Sequence, residues 1–283
     1  MEGTQKDVVI VTGATGSMGA VATRKLAAEG KHVIMACRNT VKAEALRWEI
    51  LKEQPEASLT ILPLELSSPT SIQSFVRSLE GKRITALFCN AGIKAHRYMQ
   101  NEEGYEMDFA TNYLGNRLLT LLLLPLMLEG AHIVLMVSLT TKLARLDLRW
   151  KERGEREFGQ LSTYGSSKLA LLYFAIGLGR RHPGLHVNVS DPGVVNSNMI
   201  TMGRWYDPLA DLFFRPFIKT PAQGVQPALR ALQSEHTLKY FVGNKVKNMP
   251  ARFLHSPLVE LLWKQADTLQ QAYLTDKTSS TGK

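Results

Sequence analysis

Short apolar runs of strand length alternate with helical patterns along most of this chain, and that alternation restricts its fold more than any other feature. Val8–Val11 leads into a glycine-rich turn and a helical pattern from Gly19 to Glu29, closed by Gly30 just past its end. His32–Cys37 reads as a second strand, and Val41–Glu53 as a helix stopped before Pro55. Leu59–Leu64 is a third strand, followed by a helix over Ser71–Leu79. Ala86–Cys89 and His132–Val137 read as further strands, with a helix over Tyr113–Leu128 between them. A long helix over Leu161–Arg181 and a strand over His186–Ser190 complete the pattern. Near-continuous apolar strands separated by helices predict a parallel sheet covered on both faces. Right-handed crossovers then give a doubly wound α/β fold in three α/β/α layers, with its ligand at the carboxyl ends of the strands.

At 283 residues, 45% of them apolar, the chain can bury one large core, so a single domain over residues 1–275 is expected. The polar tail Asp276–Lys283 is expected to be disordered. Two cysteines, Cys37 and Cys89, each end an apolar run, which argues against a disulfide framework and for a reducing compartment. Met1–Asp7 is short and polar, without the pattern of a secretory leader, and Leu118–Leu128 is interrupted by Pro125 and too short to span a bilayer. A cytoplasmic location is therefore expected. The net charge is +9, and eight basic against three acidic residues between Arg204 and Arg252 supply much of it. That bias suits anionic ligands or surfaces, but no nucleic-acid-binding motif accompanies it. The one pair of histidines at His-x-x-x-His spacing, His182 and His186, is broken by Pro183-Gly184 and has no cysteine partner, so no metal site is expected.

Thr12-Gly13-Ala14-Thr15-Gly16-Ser17-Met18-Gly19 lies between the first strand and its helix. Glycines in that setting let the backbone turn tightly and approach a pyrophosphate, which the helix N-terminus attracts. The end of the second strand bears on the choice between NAD and NADP, because an acid there would accept from a ribose 2′-hydroxyl. The chain reads Cys37-Arg38-Asn39 instead. Arg38 can clamp a 2′-phosphate, and Lys42, one helical turn on, adds to the positive field. NADPH/NADP+ is the expected cofactor.

Tyr164 and Lys168 stand four apart in a strongly helical segment and so share one face. An ammonium beside a phenol favours the phenolate, which would draw the tyrosine towards the working range as a general acid/base.

In order, Thr12–Gly19, Asn90-Ala91-Gly92, Asn112, Tyr164-Gly165-Ser166-Ser167-Lys168 and Pro192-Gly193 make the chain similar, over nearly its whole length, to the short-chain dehydrogenases/reductases. Ala36-Cys37-Arg38-Asn39, Thr111-Asn112-Tyr113-Leu114-Gly115 and Leu262-Trp263 resemble the retinol-dehydrogenase-like branch. The resemblance implies a Rossmann-type domain with Tyr164 as acid/base, Lys168 as its electrostatic partner and Asn112 at a helix kink holding a water towards Lys168. It implies cofactor contacts from Gly13, Thr15, Ser17, Met18, Gly19, Arg38, Glu65, Leu66, Asn90, Ala91 and Gly92, and again from Tyr164 and Lys168. Pro192, Gly193 and Val195 would pack near the nicotinamide. Ser197 takes the place of a threonine that bonds the carboxamide, and Glu65-Leu66 the place of an Asp–Leu or Asp–Val pair near the adenine.

Two departures from the family pattern stand out. Ser17 occupies the usual middle glycine, and the spacing of Gly13, Gly16 and Gly19 matches the longer branch that includes sugar-nucleotide epimerases. Val137-Ser138-Leu139-Thr140 lacks the paired serines that normally end the fifth strand. The spacing to Tyr164 puts Leu139 at the second of them, leaving Ser138 or Thr140 to supply the hydroxyl. A donor lost there costs a few kcal/mol of barrier, and Ser138 has a strand-end capping role as its plain alternative.

The stretch 197–222, with Met199, Met202, Trp205, Tyr206, Phe213, Phe214 and Phe217, corresponds to the segment that covers the substrate. Its content suits a lipophilic, steroid-, retinoid- or lipid-like carbonyl or alcohol rather than a sugar. Arg204, Arg215 and Lys219 interleave with these residues, which fits peripheral membrane contact or a helix with a core-facing apolar side. The expected activity is reduction of an apolar ketone or aldehyde by NADPH; a sugar-nucleotide epimerase or dehydratase, and a weakly catalytic NADPH-binding sensor or scaffold, are the alternatives. Family precedent also allows a homo-oligomer.

Overall fold

The computed structural model describes residues 7–152, 154–195 and 218–275. Eight strands form one sheet in the order β3-β2-β1-β4-β5-β6-β7-β8. They are β1 Val8–Thr12, β2 His32–Cys37, β3 Ser58–Pro63, β4 Ile84–Cys89, β5 Met127–Met136, β6 His186–Asp191, β7 Lys239–Val242 and β8 Lys245–Asn248. All pairings are parallel except the last, β7 with β8. The strand order reverses between β1 and β4, and there a cleft opens at the carboxyl ends.

Every residue of β1 is buried, yet its side chains serve two different cores. Val8 and Ile10 join one cluster with Phe109, Leu118 and Leu171, while Val9 and Val11 join the other with Ala22, Ile50 and Val225. The period-two alternation of a strand thus hides inside an unbroken apolar run. The first face is covered by α3 (Pro69–Arg77), α5 (Asn116–Leu123) and α6 (Gln160–Arg181), the second by α1 (Ser17–Ala28), α2 (Thr40–Glu53) and α7 (Pro221–Ala231).

The helix expected over Tyr113–Leu128 differs at both ends. Helical structure starts with the short α4, Met107–Phe109, where the Glu106 carboxylate accepts from the amides of Asp108 and Phe109, both at 3.1 Å. It continues as a π-helical stretch, Ala110–Gly115, before α5. Pro125 then ends it: Leu124–Leu126 form a 3₁₀ turn and Met127 already pairs in β5. The strand expected from His132 therefore starts earlier, across an irregularity in the β4–β5 register.

The described elements from α7 onward lie beyond the sequence reading. The β7–β8 hairpin turns at Gly243-Asn244, with Gly243 at φ 51°. After the short α8 (Ala251–Leu254), α9 (Leu258–Thr275) packs across α5 and α6. Trp263 of α9 stacks on Phe174 with ring centroids 5.7 Å apart and lies against Gly177. The fully buried Arg117 of α5 donates to Gln270 Oε1 at 2.6 Å and pairs with Asp267, tying α9 down. Among the described residues no helix is long and apolar enough to cross a membrane, and no cluster of His, Cys, Asp and Glu fits a metal ion.

Candidate active site

The turn after β1 is built around two constraints. Gly13 sits at φ 63°, and its carbonyl accepts the Gly16 amide at 2.9 Å. A Cβ on Gly19 would lie 2.1 Å from that carbonyl oxygen, so only glycine lets α1 start so close to the turn. Gly16 caps α1 without a side-chain hydrogen bond, and no acidic residue occupies the first turn. The first amides of α1 therefore face the cleft with no side chain to accept from them, as an anion site requires. Ser17 is exposed at the first helical position, where a side chain fits without crowding.

Asn90 fastens the turn to the end of β4. Its Nδ2 donates to the carbonyls of Thr12 at 2.9 Å and Gly13 at 3.2 Å. Thr12 Oγ1 donates to the Phe88 carbonyl and accepts from the Ala91 amide at 3.0 Å. The cleft so framed has a volume of about 600 Å³, and Gly13, Thr15, Ser17, Met18, Arg38, Glu65, Leu66, Asn90, Ala91 and Gly92 line it, with Lys42 and Thr111. Gly19 stays behind the turn. At the far end Arg38 Nη1 lies 3.5 Å from Glu65 Oε2. A cleft of this size with free helix amides along it, and with Arg38, Lys42 and Glu65 in its lining, fits a dinucleotide.

Tyr164, Lys168, Asn112 and Ser138 stand just past the other end of that cleft. The link is Gly92, where an added Cβ would lie 2.9 Å from Lys168 Nζ and 3.0 Å from Asn112 Oδ1. Asn112 sits in the π-helical stretch and is fully bonded. Its Oδ1 accepts from the Ile93 amide at 2.8 Å, while Nδ2 donates to the Ile93 carbonyl at 2.8 Å and Ser167 Oγ at 3.0 Å. The extra residue of a π turn aims the amide sideways at the 90–93 loop.

Tyr164 and Lys168 share one helix as expected, but the direction in which the phenol is shifted differs from the sequence expectation. Lys168 is buried and donates to the Met136 carbonyl at 2.9 Å. Burial draws its ammonium down to about 8, against the opposing pull of Asp108 and then Cys89. Tyr164 is not brought down by the lysine; burial pushes the phenol up to about 12, opposed by a hydrogen bond with Ser138 and reinforced by the charges of Asp108 and Asp191. Desolvation of the phenolate is the largest of these effects.

Ser138, not Leu139, is the neighbour whose hydroxyl acts on the Tyr164 phenol. Ser138 also caps the 3₁₀ turn Leu139–Lys142, accepting from the Thr140 amide at 3.3 Å, so its two roles coexist. Leu139, where the spacing to Tyr164 had put the serine position, is 45% exposed and stands one residue beyond Ser138. Thr140 Oγ1 is buried without a partner, its side chain set against Gly165.

Pro192 and Gly193 follow β6, with Gly193 at φ 75° and its amide donating to Asp191 Oδ1 at 2.9 Å. Tyr240 of β7 holds the other Asp191 oxygen at 2.8 Å. Val195 is buried against Gly224 of α7, and Lys219 pins the loop by donating from Nζ to the Pro192 carbonyl at 3.1 Å and from its amide to the Val194 carbonyl at 2.9 Å. Ser197 and nearly all of the 197–222 segment lie outside the described residues, as does the 276–283 tail. Sequence reasoning missed Asp108 and Asp191, both fully buried acids whose charges reach Tyr164. Nothing in their spacing marks them.

This fold and site define a nucleotide-dependent oxidoreductase, and the chain belongs to the short chain dehydrogenase family, whose model matches residues 7–204. Within it the chain falls in the retinol-dehydrogenase-like branch. It is 32% identical to mouse retinol dehydrogenase 12 over 267 residues, covering 90% of this chain and 84% of that one. It is 35% identical to human retinol dehydrogenase 11 over 237 residues, covering 81% and 73%. Among solved structures, an uncharacterized protein from Mycobacterium paratuberculosis is similar at 26% identity and a TM-score of 0.74, with 94% of both chains covered. A short-chain dehydrogenase from Sphingobium yanoikuyae in complex with NADPH shares the fold at 21% identity and a TM-score of 0.65, with 98% of both covered. The reaction class is interconversion of an alcohol and a carbonyl.

Proposed function

We propose that this chain is an NADPH-dependent reductase of a lipophilic aldehyde or ketone, working reversibly with the alcohol. The observation that carries the reading is the Tyr164 phenol with the Ser138 hydroxyl as its neighbour, beside buried Lys168, at the end of a dinucleotide-sized cleft whose other end holds Arg38 and Lys42. When bound, the nicotinamide supplies or accepts the hydride. Tyr164 gives its proton to the substrate oxygen, and a phenol near 12 is fully protonated at neutral pH, ready to donate. Ser138 fixes that oxygen by a second hydrogen bond. Lys168, held on the Met136 carbonyl, keeps a buried proton close by, and Asn112 sets its spacing to the 90–93 loop.

The substrate class rests on the surroundings of the hydroxyl pair and on the relatives. Leu161, one helical turn before Tyr164, is 49% exposed, and Leu139, next to Ser138 in sequence, is 45% exposed. Exposed apolar side chains at positions flanking Tyr164 and Ser138 favour a lipophilic ligand over a sugar. Relatives named retinol dehydrogenases support a retinoid-like molecule. The sensor alternative was motivated by Leu139, and Ser138 as the neighbour of the phenol supports catalysis over it.

The test is Tyr164→Phe, assayed by NADPH absorbance with retinoid and steroid carbonyls. NADPH binding is expected to persist while turnover falls by about 10²–10⁴-fold. Unchanged turnover would overturn the role of Tyr164.

A further inference from the structure

We infer that Glu65 limits the preference for a 2′-phosphate, so that the cleft accepts NADH alongside NADPH. This rests on the dinucleotide reading above. Arg38 is the cation placed to meet a 2′-phosphate, and it is already engaged: Glu65 Oε2 lies 3.5 Å from its Nη1, and both residues line the cleft. Where the family usually has aspartate, this chain has a side chain one methylene longer, which spans the gap from β3 to Arg38 at the end of β2.

The carboxylate is not free to leave. Its Oε1 accepts from the Ser67 amide at 3.0 Å and from Ser67 Oγ at 2.9 Å, and the Glu65 amide donates to Ser71 Oγ at 3.0 Å. Arg38 is the more exposed partner, with 67% of its side chain accessible against 33% for Glu65. A phosphate arriving on Arg38 therefore displaces or shares a fixed anion, and its own charge of about −1.5 to −2 is repelled by that anion. A ribose 2′-hydroxyl meets the opposite situation, because a carboxylate accepts its hydrogen bond. Lys42 adds a second cation, leaving one net positive charge at this rim instead of two. Glu65 thus lowers affinity for one ligand and raises it for the other through a single contact.

The experiment is calorimetric binding of 2′,5′-ADP and 5′-ADP to the wild type, Glu65→Gln and Glu65→Asp, with NADPH and NADH binding followed by nicotinamide fluorescence. In Glu65→Gln at about 50 mM salt, 2′,5′-ADP is expected to bind roughly five- to tenfold tighter, a gain that shrinks as salt screens the exposed site. Binding of 5′-ADP is expected to stay level or weaken. Glu65→Asp, which keeps the charge but draws it back from Arg38, is expected to fall between the two. A ratio of the two affinities unchanged in Glu65→Gln would overturn the inference, as would weaker 2′,5′-ADP binding, which would make Glu65 a support that orients Arg38. Failure of the wild type to bind either dinucleotide would instead sink the functional reading itself.

Discussion

Replacing Asp108 with asparagine is expected to stabilise the protein, and to do so only above acidic pH. Asp108 is completely buried; Oδ1 accepts from the Ala95 amide at 2.8 Å, and Oδ2 has no partner. Burial, reinforced by Glu106, lifts its carboxyl from 3.8 to about 7, against the Ala95 amide, Lys168 and Lys94. Below pH 3.8 the folded and unfolded chains both carry the proton. As pH rises the unfolded chain releases it first, so folding loses up to about 1.36 kcal/mol per pH unit until about pH 7. A gap of roughly 3 pH units makes the full loss about 4 kcal/mol. Asparagine keeps the acceptor for Ala95 and never ionises, at the cost of a buried amide N–H group worth about 1–3 kcal/mol at every pH. Urea unfolding of both proteins at pH 5 and pH 8 separates the two effects. The stability difference is expected to move by about 3 kcal/mol in favour of the variant between those values. Parallel pH dependences would refute the argument, because they would mean that Asp108 ionises as readily inside the fold as outside it.

Gly19→Ala places a methyl 2.1 Å from the Gly13 carbonyl oxygen, against backbone that cannot rotate away. NADPH binding by fluorescence titration is expected to weaken at least tenfold, with stability down by about 1–3 kcal/mol; unaltered binding would mean that the turn has slack. Trp263→Ala removes a ring stacked on Phe174 and approached by the Arg117 and Arg181 guanidinium groups. A loss of about 3–5 kcal/mol in chemical denaturation is expected, with faster amide exchange along α9.

The alternation of apolar runs carried the sheet because parallel strands are buried on both faces and so read as continuous greasy segments. Helix boundaries were legible where a proline or glycine set them, as at Gly30 and before Pro55. The start at Met107 was not, since its cap is Glu106, a residue type that rarely serves there. The β7–β8 pair was missed although Gly243-Asn244 is a hairpin signal, because the flanking Lys239–Val242 and Lys245–Asn248 runs are short and basic.

At the site, glycine and asparagine positions followed from backbone needs that leave a mark in sequence. The position of Ser138 did not, because a one-residue offset after a strand exchanges which side chain faces the cleft. The protonation of Tyr164 was misjudged for another reason: pair spacing reveals a neighbour but not how much water surrounds it. Asp108 was invisible on the same ground, since an acid at a helix start is ordinary until its burial is known.

The bridge between Val195 and Lys219 has a consequence for how such a chain diversifies. The backbone before and after the intervening stretch is paired at this one point, so everything encoded between is joined to the scaffold at a single junction. Doubling the length of a graft of this kind costs only about 0.6 kcal/mol of closure entropy. Mutation can therefore rewrite that stretch, in length as well as in composition, while the glycine turn and the Tyr164–Ser138 pair are inherited unchanged.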